Sequence, residues 1–297
     1  MDRPVQPSLL FFLFIFGTYT LAALLCVPFG EYVTEAAGVP THKFIGRGGL
    51  LLALLGFWPM LKALRLADKR SLGYGLPGTE FRLALAKGFA AGVLILACLA
   101  LVLLALGIRI VPSGGEPPLL KVLTQGLLGG LAVGFLEETF FRGAMFSAIR
   151  RRGGHAATAI TLPALLYATL HFLKPQPFPA DAEVTLATTL GSLGGAFPAL
   201  FRMENLDSFA ALFLVGVLLG IVRRRSGHIA WCIGLHAGWV LVIRLTHKYT
   251  DLDPGAPLNS LVGTYDGVIG WLAAGWIGLL ALGIALWPRN RPKGAVG

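Results

Sequence analysis

The sequence predicts an all-α fold, a polytopic membrane helix bundle with about eight transmembrane helices and both termini cytoplasmic. Three observations carry this. Of the 297 residues, 55% are hydrophobic and only 13% charged, about half the ~25% charge of a soluble domain. Mean hydropathy is +0.72. Apolar runs of about 20 residues, the length that spans a bilayer, recur along the chain, and Lys and Arg cluster in many of the turns between them.

The elements follow in order. Ser8 to Pro28 is the first span, preceded by the short basic stretch Met1 to Gln6. It is too long for the apolar region of a cleavable signal peptide and lacks a small-residue exit, so no signal peptide is expected. Gly30 to Lys43 reads as a loop holding Glu31 and Glu35, and Phe44 to Leu64 as the second span. Gly73, Gly75, Pro77 and Gly78 break helix, and residues 71–87 read as an interfacial segment feeding a third span at about Gly88 to Val111. Residues 1–118 thus form an N-terminal part of three spans. Residues 119–245 hold the next four spans: Leu119 to Ile149, His155 to Leu173, Ser208 to Val222 and Ile229 to Leu245. Between the second and third of these, Lys174 to Asp207 is a long Pro- and Gly-rich connection. Its apolar middle, Val184 to Leu200, either lies against the membrane or partly enters it, and a role in gating substrate entry is the hypothesis for it. Residues 246–297 supply a polar loop, a last span from Gly267 to Trp287, and a basic tail.

The formal charge of +10 invites a nucleic-acid reading, but the positions of the charges argue against one. With the N-terminus inside, alternate turns collect Arg3, Lys62, Arg65, Lys69, Arg70, Arg82, Lys87, Arg150 to Arg152, Arg223 to Arg225, Arg289, Arg291 and Lys293. That is the positive-inside bias; no nucleic-acid partner is expected, and the lipid bilayer is. Cys26, Cys98 and Cys232 all lie in apolar runs and have neither disulfide nor metal spacing. Gly126, Gly130 and Gly134 form a four-residue ladder, as do Gly216/Gly220 and Gly234/Gly238; such spacing lets membrane helices approach closely.

One stretch departs from this apolar pattern. Leu136-Glu137-Glu138-Thr139-Phe140-Phe141-Arg142-Gly143 puts two acids and an arginine inside a span, each costing ~2.5–3.5 kcal/mol at the bilayer centre even on permissive scales. On a helix Glu138 and Arg142 share a face at i, i+4, while Glu137 points about 100° away. Arg142 therefore neutralises Glu138 and leaves Glu137 in need of a partner. His171 ends the fifth span and His236 sits mid-way in the seventh. Counted at 1.5 Å per residue from the basic turns, Glu137, His171 and His236 lie roughly 13–24 Å deep, so one acid and two imidazoles can converge on three helices. Intramembrane ionisable groups of this kind are functional candidates.

Glu-Glu-x-x-x-Arg at 137–142, an aromatic-x-x-x-His ending at His171, and His236 after a Gly-rich approach together resemble the CAAX-endopeptidase and bacteriocin-processing (CPBP) family of intramembrane glutamic proteases, over about Leu119 to Leu245. The resemblance implies that Glu137 activates a water, that His171 holds or polarises it, that His236 contributes to oxyanion stabilisation, and that Glu138 and Arg142 support the site. Tyr167 stands where that pattern usually has Phe, and Val240 where it usually has Asn or Asp. Either another donor replaces the missing amide, the Trp239 indole N–H being the candidate, or the protein is a slow or inactive member.

The expected function is therefore an intramembrane endopeptidase acting on a peptide or membrane-protein substrate without a cofactor. A zinc site built from the same Glu and two His is the alternative chemistry; a degenerate immunity or scaffold protein, and a proton-coupled transporter, are the alternative functions. No H-E-x-x-H or G-x-S-G setting is present. The short loops and Leu/Ala/Gly/Arg-rich composition suggest a bacterial inner membrane.

Overall fold

A computed structural model describes residues 5–115, 117–179 and 182–288 of the chain. The fold is all-helical: α1 (Val5–Ala37), α2 (Thr41–Ala63), α3 (Gly78–Ala105), α4 (Leu119–Glu138), α5 (Phe146–Arg151), α6 (Ala156–Phe172), α7 (Leu186–Gly194), α8 (Ala196–Leu200), α9 (Leu206–Ser226), α10 (Ala230–Tyr249) and α11 (Trp271–Leu286). A π-helical turn, Thr139–Met145, joins α4 to α5 without a break. The one ladder among the described residues pairs β1 (Arg109–Ile110) antiparallel with β2 (Asp251–Leu252).

Five stretches are long and apolar enough to cross a membrane: Gln6–Gly30, Thr41–Ala63, Gly78–Ala105, Leu119–Arg151 and Met203–Ser226. Helices α6 and α11 are apolar but shorter, about 25 Å each at 1.5 Å per residue against a hydrocarbon core of about 30 Å. Helix α10 carries His236, Arg244, His247 and Lys248 along its length.

Several boundaries differ from the sequence reading. Helix α1 runs through Pro28 to Ala37, where a loop from Gly30 is expected. Gly38, at φ 59°, then stops it ahead of Pro40. Residues 78–87 are the first turns of α3, so only the stretch from Ser71 to Pro77 is a connection. Pro77, at φ −53° and ψ 147°, is well shaped to precede a helix start. Helix α3 stops at Ala105, short of Val111, because the chain turns at Gly107 (φ 67°) and enters β1. The connection 174–207 contains α7 and α8, and α7 starts at a capping box between Thr185 and Thr188. The basic residues Arg3, Arg289, Arg291 and Lys293 lie outside the described residues.

Helix α10 is the hub, packed most extensively on α3 and α4, while α1 pairs with α2 and α9 with α6 and α11. The close packing is made by glycine. A Cβ on Gly92 would sit 2.4 Å from Leu235 O, on Gly130 2.7 Å from Ala237 O, and on Gly234 2.2 Å from Leu85 O. Backbones approach this closely only where side chains are absent. The ladders at Gly126/Gly130/Gly134 and Gly234/Gly238 thus serve packing, as their spacing predicts.

Candidate active site

The acidic stretch sits where α4 widens into the π turn. There Phe146 N–H bonds back to Phe141 O, five residues earlier, a widening frequent at functional sites. The expected pair is present: Arg142 Nη1 donates to Glu138 Oε1 at 3.0 Å, with the two side chains 1% and 0% exposed. Arg142 Nη2 also donates to Gly216 O at 3.1 Å, and its guanidinium lies 5.0 Å from the centre of the Tyr167 ring. Arg223 Nε, from α9, donates to Arg142 O at 3.0 Å.

His236 Nδ1 lies 2.9 Å from the same Glu138 Oε1. A carboxylate can only accept, so His236 Nδ1–H donates to Glu138. Nε2 is 3.7 Å from Glu137 Oε2, too long for a direct hydrogen bond. Glu137 Oε2 is buried and has no hydrogen-bond partner among the described residues, although the side chain as a whole is 32% exposed. His171 is fixed by the same logic. Its Nδ1 is 2.8 Å from Tyr167 O, a carbonyl, so Nδ1–H donates and Nε2 keeps its lone pair.

Glu137, Tyr167 and His171 line a cavity of about 750 Å³, within the usual size of small-molecule and substrate sites, about 300–1,000 Å³. Its walls are mainly aromatic and aliphatic side chains from α1, α2, the π turn and α8, such as Phe16, Phe57, Phe140 and Phe197. His236 is not among the lining residues; it reaches the glutamates from behind. Trp239 is not a lining residue either. It packs in an apolar cluster with Leu96, Leu99, Ala211 and Ile277, its Nε1 unpartnered among the described residues. The structure thus brings Glu137, Glu138, Arg142, Tyr167, His171 and His236 together and leaves Trp239 in the apolar interior. Among the described residues no three His, Cys, Asp or Glu side chains are grouped to hold a metal ion.

Five further polar residues line the cavity: Tyr19, Tyr74, Thr139, Lys174 and Tyr265. Thr139 Oγ1 donates to Phe135 O, so the 2.5 Å contact with Tyr74 is donated by the phenol. Tyr74 arrives on the loop after α2, which lies on the π turn because Gly143 has no Cβ; one there would be 2.9 Å from Leu72 O. Lys174 Nζ donates to Tyr265 Oη at 3.1 Å and sits 4.9 Å over its ring, and that ring is 6.5 Å from the His171 ring. These partners are 65 and 91 residues apart in the chain, and no local pattern announces them.

Fold and site together define an integral membrane protein with a carboxylate and an imidazole facing an apolar cavity. Residues 119–242 match the family model described as "Rce1-like: Type II CAAX prenyl endopeptidase Rce1-like", which bears out over that stretch the CPBP resemblance and supports a CAAX-type protease. No curated protein and no solved structure matches the chain.

Proposed function

We propose that the chain is an intramembrane endopeptidase in which Glu137 activates a water against a peptide bond of a membrane-associated peptide or protein. One observation carries this reading: two adjacent acids meet opposite environments. Glu138 is sealed in, its Oε1 held by Arg142 and His236, whereas Glu137 is 32% exposed and lines the cavity with His171; each keeps one buried oxygen without a partner among the described residues. Buried unsatisfied groups in folded proteins call for a reason, and a catalytic role is one.

In the proposed reaction Glu137 takes one proton from the water as the water oxygen bonds to the scissile carbonyl carbon. It returns that proton to the nitrogen as the C–N bond breaks. His171 Nε2 accepts a hydrogen bond from the same water and orients it. His236 and Arg142 hold the glutamate pair in place from behind. Tyr265, whose oxygen accepts from Lys174, keeps its own O–H to donate to the oxyanion, in place of an amide at Val240. Such a base contributes ~10²–10⁴-fold and one oxyanion donor ~2.7–4 kcal/mol. The route uses no cofactor. Residues 119–245 form the core of this reading. Counting α6, α10 and α11 as crossings gives eight spans with both termini cytoplasmic, in a bacterial inner membrane.

The test is cleavage of a quenched-peptide library by purified protein in liposomes, with and without a chelator. Expected is cleavage that survives chelation and disappears in Glu137→Ala and His171→Ala. Loss on chelation moves the same residues to a zinc site. No cleavage, restored by Val240→Asn, marks a member that has given up catalysis.

A further inference from the structure

A second cavity, of about 490 Å³, opens where α2 and α5 end and α1 begins. We propose that it binds a phosphate-bearing anion, the chemistry presented by the headgroup of an acidic phospholipid. Three arginines line it, Arg65, Arg151 and Arg152, beside the apolar Leu10, Leu64 and Ala148. Cationic groups at one end of an apolar wall match an amphiphile whose phosphate sits at the edge of the hydrocarbon. Basic pockets between membrane helices bind acidic headgroups for this reason, and the planar fork of Arg suits phosphate better than Lys does.

The three arginines are not equally engaged. Arg151 is tied down, bonded to Arg65 O and Ser71 Oγ and 3.6 Å from Asp68. Asp68 is held below the usual carboxylate range by hydrogen bonds from Ser71, side chain first and then backbone, so it stays ionised as the partner of Arg151. Arg152 spends one nitrogen on Gln6 Oε1 at 2.5 Å. The Arg65 side chain has no protein partner among the described residues. Among the described residues the site therefore keeps two guanidinium charges without an acid. These outweigh the two helix C-termini that end there, worth roughly half a negative charge each.

Membrane topology alone does not account for this arrangement. The positive-inside bias needs charge in the turn, which the exposed Lys62, Lys69 and Arg70 already supply, and it needs no cavity. Arg65 is moreover the one non-glycine at positive φ among the described residues, at 56°. It follows the end of α2, where Gly or Asn is usual, so its side chain is retained against the preference of its backbone.

The experiment compares lipid retained by the full chain, read by native mass spectrometry, after reconstitution in phosphatidylcholine vesicles with or without phosphatidylglycerol. Inorganic phosphate alone is a separate arm. Wild type should retain phosphatidylglycerol. Arg65→Gly combined with Arg152→Ala should lower that retention on the order of tenfold, the effect of one lost charge-assisted pair. Lys69→Ala with Arg70→Ala, on the same face outside the cavity, should not. Arg65→Gly alone should melt no lower than wild type in phosphatidylcholine, since glycine relieves the left-handed backbone, which separates lost binding from lost folding. Inorganic phosphate protecting wild type as well as the lipid does upholds the site and assigns it a soluble ligand. Equal retention in wild type and the Arg65/Arg152 variant, or equal loss in both double variants, overturns the proposal.

Discussion

Helices α10 and α1 border the same site and are packed in opposite ways. Every residue of α10 from Cys232 to Trp239 is buried, and its glycines lie against backbone: Gly234 faces Leu85 O and Gly238 faces Phe89 O, at 2.2 and 2.6 Å for an added Cβ. Helix α1 instead meets its neighbours through large side chains. The Tyr19 ring covers Gly49, Phe14 covers Gly56, and Phe16 meets Phe197 edge-on. Backbone-to-backbone contact resists displacement of α10, which holds His236 Nδ1 2.9 Å from Glu138 Oε1. Side-chain contact leaves the opposite wall adjustable by rotamer changes. The side packed through backbone carries the charged groups and the side packed through rings carries apolar surface.

The sharpest way to break the backbone-packed side is Arg142→Ala, which leaves Glu138 buried with only His236. Breaking a buried pair in this way costs ~3–5 kcal/mol, so a large fall in melting temperature, with activity lost alongside, is expected in a detergent melt. Glu137→Gln should separate chemistry from packing: cleavage falls ~10²–10⁴-fold while the melt is unchanged, because Glu137 makes no hydrogen bond that the fold relies on. A parallel fall in stability would mean that the two acids are not divided as proposed. Gly234→Ala tests the backbone contact itself. Overpacking costs ~1–3 kcal/mol, here against carbonyl and amide atoms that cannot rotate away, so loss of folded protein is the expected readout. Gly46→Ala on α2, where nothing lies within 4 Å of the added Cβ, marks the smallest effect. Glycine costs a helix interior ~0.5–1 kcal/mol relative to alanine, so the melt should rise slightly or stay level.

Much of this was legible along the chain because it depends on local spacing. The i, i+4 relation of Glu138 and Arg142 predicts the pair that forms, and the four-residue glycine ladders predict the close approach of α4 and α10. The helix ends are less legible. Pro28 does not stop α1, because a helix in an apolar setting has no water to take up its broken hydrogen bonds and continues to the left-handed Gly38. Residues 71–87 look interfacial from Gly73, Gly75, Pro77 and Gly78, yet 78–87 belong to α3, which presses on α10 through Gly88 and Gly92 further along.

Sequence by itself determined the membrane class, the helical content, the charged cluster in the fourth span and the family resemblance, since each follows from hydropathy, periodicity or a motif within a few residues. Only the tertiary structure decided which groups face the cavity. It put Glu137 and His171 on the cavity wall, His236 behind them and Trp239 in the apolar interior, and it brought Tyr74, Lys174 and Tyr265 to the same wall. It also gathered Arg65, Arg151 and Arg152 around one cavity. The physical reason is that a side chain's direction depends on how its helix is rotated against its neighbours. That rotation is set by glycine contacts between α3, α4 and α10, far apart in the chain, which no local pattern encodes.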